Sequence, residues 1–201
     1  MSYSDFKTID DVQSKFPITV SSDKSLFKDI SPVEVSAFLE QLLSENVPLA
    51  LNINTEKARS ELIVMQVLVE VRKLLNHQIS LFSGTDFTVD SKLGLNGYCD
   101  YILSNSPDQI YIKAPVVCMV EAKNENIKLA YPQCIAEMIA AQKFNVAKEQ
   151  QVETIWGVVT TGSSWKFLYL TGNQVAIDYE EYLISQIGKI LGIFLHILRN
   201  C

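Results

Sequence analysis

The chain of 201 residues concentrates its chemistry where an apolar run meets two opposite charges: Val116-Val117-Cys118-Met119-Val120 leads straight into Glu121-Ala122-Lys123. The run is short and holds three valines, which marks a buried strand rather than a helix. Alternation along a strand puts Val117, Met119, Glu121 and Lys123 on one face, and Cys118, Val120 and Ala122 on the other. A core strand would then deliver a carboxylate and an ammonium to one spot. Such a pair can ligate a hard cation and steady a water for attack. The competing reading is a strand end that reaches water with both charges solvated. Asp5/Lys7 and Asp90/Lys92 repeat the acid-x-Lys pattern, but neither ends an apolar strand. Context therefore carries the signal.

Three further polar residues belong with the pair. Tyr98-Cys99-Asp100-Tyr101-Ile102-Leu103 reads as a strand, with Asp100 and Ile102 on one face and Cys99, Tyr101 and Leu103 on the other. Aspartate is depleted from strands, so Asp100 stands out. Successive strands usually lie side by side, which would bring Asp100 and Glu121 to one point. Glu61 opens an apolar helical block; it is either an inward carboxylate or an exposed first-turn acid that favours the helix dipole. Gln133 follows Pro132 in the first turn of another helix, close in sequence to Lys123.

These residues depend on an alternating order of elements. Residues 1–30 read as an irregular arm. Ser31-Pro32-Val33-Glu34 matches a capped helix start running to about Ser44, and Asn54 or Thr55 can cap a second helix over about Glu56 to Leu75. Strand-like runs follow at Ile79–Phe82, ended by a turn at Ser83-Gly84, and at Phe87–Val89, Tyr98–Leu103, Ile110–Ile112 and the Glu121 segment. A helix from Tyr131 to about Ala147 comes next. A hairpin joins Thr154–Thr160 to Trp165–Leu170 through Thr161-Gly162-Ser163-Ser164. A last helix spans about Tyr179 to Leu198, its wide apolar stripe read as core or as the contact of a homodimer. The division is an N-terminal arm and helix over 1–55 and a core over 56–201, packed as one domain.

Composition narrows the function classes. Nearly half the residues are hydrophobic, enough for a core, and no secretory signal or apolar span of about 20 residues is visible. Cysteines 99, 118, 134 and 201 lack zinc spacing and suit a reducing, cytoplasmic setting. Cys99 and Cys118 are expected buried, free and directed away from the acids. The net charge of −6 argues against an all-over basic surface, while Lys57, Arg59, Lys113 and Lys128 could still line a local groove. No Walker or dinucleotide glycine pattern and no serine nucleophile elbow appear.

The layout of Glu61 on a helix, Asp100 and Glu121-Ala122-Lys123 on successive strands, and Gln133 on the next helix resembles the PD-(D/E)XK nuclease superfamily. The resemblance covers about Glu56 to Leu170 and rests on Gly97-Tyr98-Cys99-Asp100 and Glu121-Ala122-Lys123; Cys99 stands where many members carry proline. It implies an α/β restriction-endonuclease-like fold, a mixed sheet flanked by helices, and magnesium-dependent hydrolysis of phosphodiesters in nucleic acid, DNA before RNA. Asp100, Glu121 and the Ala122 carbonyl would hold Mg²⁺ or Mn²⁺, with Glu61 beside them or on a second ion. Lys123 would position the attacking water and Gln133 would orient water or phosphate. The alternative is an inactive module of the same fold that binds nucleic acid or a protein partner.

Overall fold

The computed structural model describes residues 1–199; Cys201 lies outside the described residues. The chain builds an α/β domain around one eight-stranded mixed sheet with helices on both faces. In chain order the elements are α1 (Ile9–Gln13), β1 (Thr19–Ser21), α2 (Ala37–Ile53), α3 (Glu56–Arg59), α4 (Met65–Leu74), β2 (Ser80–Asp86), β3 (Tyr98–Ser104), β4 (Val116–Ala122), α5 (Tyr131–Ala147), β5 (Thr154–Thr160), β6 (Ser164–Thr171), β7 (Gln174–Ile177), β8 (Tyr182–Leu183) and α6 (Ile187–Arg199). A π-helical turn over Ser60–Val64 joins α3 to α4. The sheet order is β1-β7-β6-β5-β4-β3-β2, with β8 on β6.

β4 lies mid-sheet, antiparallel to β3 and parallel to β5. All seven of its residues are buried, which explains why it reads as an unbroken apolar run. Parallel neighbours need a crossover, and α5 supplies it. Its buried Cys134, Ile135, Met138 and Ile139 pack under the sheet with Tyr3, Phe6, Val12 and Phe16 from the N-terminal residues. The opposite face carries α2, α4 and α6, with Phe27, Leu39, Val67, Leu68, Trp165 and Phe194 in its core. Among the described residues no helix is long and apolar enough to cross a membrane.

Several local expectations change in this context. The first thirty residues are not an irregular arm: they seal the α5 layer and add β1, parallel to β7. The first long helix starts at Ala37, where Ser36 Oγ accepts the Leu39 N–H at 3.2 Å, and it continues through Pro48 to Ile53. Ser31–Glu34 forms no helix because it crosses α6 at its two glycines: the Val33 N–H donates to the Gly188 carbonyl at 3.0 Å. Just upstream, Lys189 Nζ gathers the carbonyls of Phe27, Lys28 and Ile30, which ties the chain entering this segment to α6. Likewise α6 starts at Ile187 rather than Tyr179, since Tyr182 pairs with Trp165 and its hydroxyl donates to buried Asp178 at 2.9 Å. The expected turn at Ser83-Gly84 lies within β2, and the segments around Phe87 and Ile110 form no ladder strand. Thr55 does cap α3, accepting the Ala58 N–H at 3.2 Å, while Asn54 ends α2 in the left-handed region.

A methyl group at Gly192 would stand 2.5 Å from the Ser31 carbonyl oxygen. Gly192→Ala should therefore destabilise the chain by about 1–3 kcal/mol, although alanine normally favours a helix over glycine by about 1 kcal/mol. Chemical denaturation checks the sign; a stabilised variant would mean that the 30–33 segment does not hold α6.

Candidate active site

Two departures from strand regularity build the site. β3 alternates cleanly from Tyr101 on: Tyr101 and Leu103 enter the α4 side and Ile102 the α5 side. Cys99 should then follow Tyr101, yet it lies in the α5 layer. The break falls at Asp100. There the β3–β4 ladder stops at Tyr101 and Val120, and the β2–β3 register passes over Gly84, whose φ is +58°. Such irregularities re-aim side chains. Here Asp100 turns its carboxylate onto β4 and Oδ2 accepts the Ala122 N–H at 2.8 Å. A second irregularity, between Leu103 and Ser104, leaves Val117 facing the α4 side with Cys118 rather than sharing a face with Met119.

Glu121 reaches the end of β4 on the α5 side and is 1 % exposed. Its Oε1 accepts from Lys123 Nζ, and its Oε2 has no hydrogen-bond partner. Lys123 Nζ also stands 3.9 Å from Glu56 Oε2, and its backbone N–H donates to the Thr160 carbonyl at 2.8 Å, which continues the β4–β5 ladder. Across the sheet the row runs Glu121–Val159–Lys166, so Lys166 shares this face two strands away. Asp100, Glu121 and Lys123 are thus brought together. Glu61 is not: it is exposed, sits 3.8 Å from Lys57 and lines a cleft of about 420 Å³ together with Glu56, Ser60, Ser83, Asp100 and Tyr101. The half-buried Gln133 donates from Nε2 to Glu137 Oε1 at 3.1 Å. Larger hollows, of about 750 and 770 Å³, lie elsewhere, and neither combines paired carboxylates with a lysine beside them as this corner does.

Two contributors escaped the sequence reading. Glu56 rather than Glu61 is the helical acid nearest Lys123, because α3 approaches β4 with its first turn. Glu137 is fully buried on α5, its Oε2 also without a partner. The clue was available: Glu137 interrupts the apolar face of α5 one turn after Gln133.

The charges strain one another. Burial, then Asp100, pushes Glu121 up to about 8, while Lys123 pulls the other way. Burial likewise raises Asp100, opposed by the Ala122 N–H and Lys123. Glu137 is raised well above the carboxylate range by burial and by Glu121. Burial would lower Lys123, but Glu121, Glu56 and Asp100 outweigh it and hold the ammonium protonated. Cys99, Cys118 and Cys134 are all buried, Cys99 and Cys118 in opposite core layers rather than one.

Among the described residues no three His, Cys, Asp or Glu side chains form a group that could hold a metal ion. A hydrated magnesium ion asks less: it keeps several waters and takes one or two carboxylates. Asp100 and Glu121, close enough to act on each other's protons and with Glu121 Oε2 unspent, fit that demand. The hydrogen bond at Ala122 uses its N–H. No protein-family model, curated protein or solved structure matches the chain.

Stability should fall as pH rises from about 4.5 to about 8. In that window the unfolded chain has released the Glu121 proton and the folded chain retains it. The contribution is complete below the window and lost above it. Glu121→Gln should flatten the fall and be the more stable chain at pH 8 by on the order of 2–4 kcal/mol. Urea denaturation at pH 5 and pH 8 measures this; equal slopes for the two chains would contradict the assignment.

Proposed function

We propose that this chain is a magnesium- or manganese-dependent phosphodiesterase acting on nucleic acid, DNA in the first instance, with a restriction-endonuclease-like arrangement of its sheet. The observation that carries the reading is the convergence of Asp100, Glu121 and Lys123, with a buried carboxylate oxygen left unpartnered. Polar clusters of this kind cost stability, and strongly perturbed ionisable groups in clefts concentrate at functional sites. A divalent cation at the two carboxylates would polarise the phosphoryl group and lower the pKa of a bound water. Asp100 and Glu121 would hold it, with the Ala122 carbonyl as a third oxygen donor; Glu61, which lines the same cleft as Asp100, would act on it through water.

Lys123 keeps its proton in this setting, so it acts as a hydrogen-bond donor and a positive charge rather than as a base. It can position the attacking water and stabilise negative charge growing on the phosphoryl oxygens. As the water oxygen bonds to phosphorus the ester P–O bond breaks; the water's proton passes to solvent and the departing oxygen takes a proton from solvent, giving an alcohol and a phosphate monoester. Gln133 can accept from the water or donate to a phosphate oxygen. The cleft edged by Lys57 and Glu61 gives an extended substrate access to Asp100. The free, buried thiols of Cys99 and Cys134 suit a reducing, cytoplasmic setting.

One observation favours a second reading, an inactive module that binds nucleic acid or a protein. Lys123 Nζ already donates to Glu121 Oε1, a partner the site supplies without a cation. The two readings separate in one experiment. For the enzyme, Mg²⁺ or Mn²⁺ at one hundred times its dissociation constant should stabilise the chain by about 2.7 kcal/mol, visible as a rise in melting temperature. Asp100→Asn should remove most of that rise. Lys123→Ala should keep the rise but cut cleavage at least ~100-fold. No rise and no cleavage of single- or double-stranded DNA or RNA would select the binding module.

A further inference from the structure

We propose that Glu137 is a positioning residue for the hydrolysis inferred above: it fixes the Gln133 amide with its nitrogen turned into the protein and its oxygen presented as an acceptor at the open end of the site. The inference rests on the phosphodiesterase reading, and concerns which group orients the water.

Packing does not account for Glu137. The buried positions of α5 are otherwise Pro132, Cys134, Ile135, Ala136, Met138, Ile139, Ala140, Ala141 and Asn145. Asn145 has a full structural task, since its amide donates to the Val116 carbonyl at 2.7 Å and accepts the Val116 N–H at 2.8 Å. Buried Asp178 accepts from the Leu26 and Glu180 N–H groups and from Tyr182 Oη. Glu137 is as deeply buried, yet the structure gives it one hydrogen bond, from Gln133, and leaves Oε2 unpartnered. A carboxyl group in that state weakens the fold. An apolar residue would serve the core better, so the bond to Gln133 is what distinguishes Glu137.

The geometry of the bond is directional. Gln133 and Glu137 are one turn apart on the same helix face. Glu137 is at the inner end, fully enclosed, and Gln133 at the outer end, half-exposed. An amide carries its oxygen and nitrogen on opposite branches of one plane. Holding the nitrogen on Glu137 leaves the oxygen at the half-exposed end of this helix face. A free glutamine would divide its time between this orientation and the flipped one. The flipped amide would point donors at a water that must itself donate.

The test combines kinetics with a readout independent of turnover. In cleavage assays with Mg²⁺ or Mn²⁺, Glu137→Gln retains an acceptor and should keep kcat near that of the unchanged chain. Glu137→Met, similar in volume but unable to accept, should lower kcat ~10–100-fold with KM unchanged, the usual range for a residue acting through another. Gln133→Ala should lower it similarly, and Gln133→Ala with Glu137→Met no further than the worse single variant, because the two act as one unit. The Gln133 side-chain NH₂ signals in a ¹⁵N NMR spectrum should show slow solvent exchange in the unchanged chain and in Glu137→Gln, and lose it in Glu137→Met. Glu137→Met should fold at least as stably as the unchanged chain; a collapse in stability would assign Glu137 to structure and overturn the proposal. Additive losses, or Glu137→Gln as slow as Glu137→Met, would overturn it too. So would an amide that exchanges fast in the unchanged chain while cleavage proceeds. A protected amide in a chain that cleaves nothing would sink the phosphodiesterase reading itself and take the positioning role with it.

Discussion

Where the β3–β4 ladder stops at Tyr101 and Val120, the next β4 amide facing β3 is that of Ala122, and Asp100 Oδ2 accepts it at 2.8 Å. A side-chain carboxylate thereby takes the place of a strand carbonyl. The exchange satisfies a buried N–H that would otherwise be costly. It also brings the Asp100 carboxyl beside Glu121, since the accepting oxygen is bonded to the residue next in sequence. Gly84, in the left-handed region on β2 opposite the break, gives the neighbouring strand the freedom to follow. Tyr101 anchors the other side, its hydroxyl donating to the Ser60 carbonyl at 2.9 Å within the π-helical turn.

The second constraint is the parallel pairing of β4 with β5. Antiparallel strands can join through a hairpin, as β5 and β6 do; parallel strands cannot. The crossover requires α5, which must start near the end of β4 and run back along the sheet. Its first two turns therefore come to lie beside Glu121 and Lys123. Gly157 on β5 keeps the helix close, since a methyl group at that position would stand 2.4 Å from Met138 Sδ.

Stability and chemistry pull in opposite directions at this corner. Glu121 and Glu137 are buried with one oxygen each unpartnered, and Asp100, Glu121 and Glu137 all hold protons more tightly than ordinary carboxyls. The surrounding layers compensate. β4 is buried along its whole length, and aromatic side chains of Phe167, Phe194 and Trp165 stack edge to face beneath the opposite side of the sheet. An apolar frame of this density can hold like charges closer than they would lie in water.

The sequence by itself determined the elements whose signals are local. The β4 segment, the limits of α5 and the hairpin at Thr161–Ser164 all follow from periodicity and turn residues within a few positions, and capping chemistry narrowed the start of α3 to Asn54 or Thr55. Asp100, Glu121 and Lys123 were legible for the same reason, as charges set against strands that would otherwise exclude them. What only the tertiary structure decided depends on neighbours distant in the chain. Ser31-Pro32-Val33-Glu34 carries a sound helix signal, yet α6 claims its backbone through Gly188, Gly192 and Lys189. Glu61 and Glu56 are alike in sequence, and only the approach of α3 to β4 makes Glu56 the neighbour of Lys123. Cys99 changes faces at a break that strict alternation has no means to foresee. Glu137 gains its significance from a strand sixteen positions earlier in the chain, because burial and hydrogen bonding are properties of what surrounds a residue.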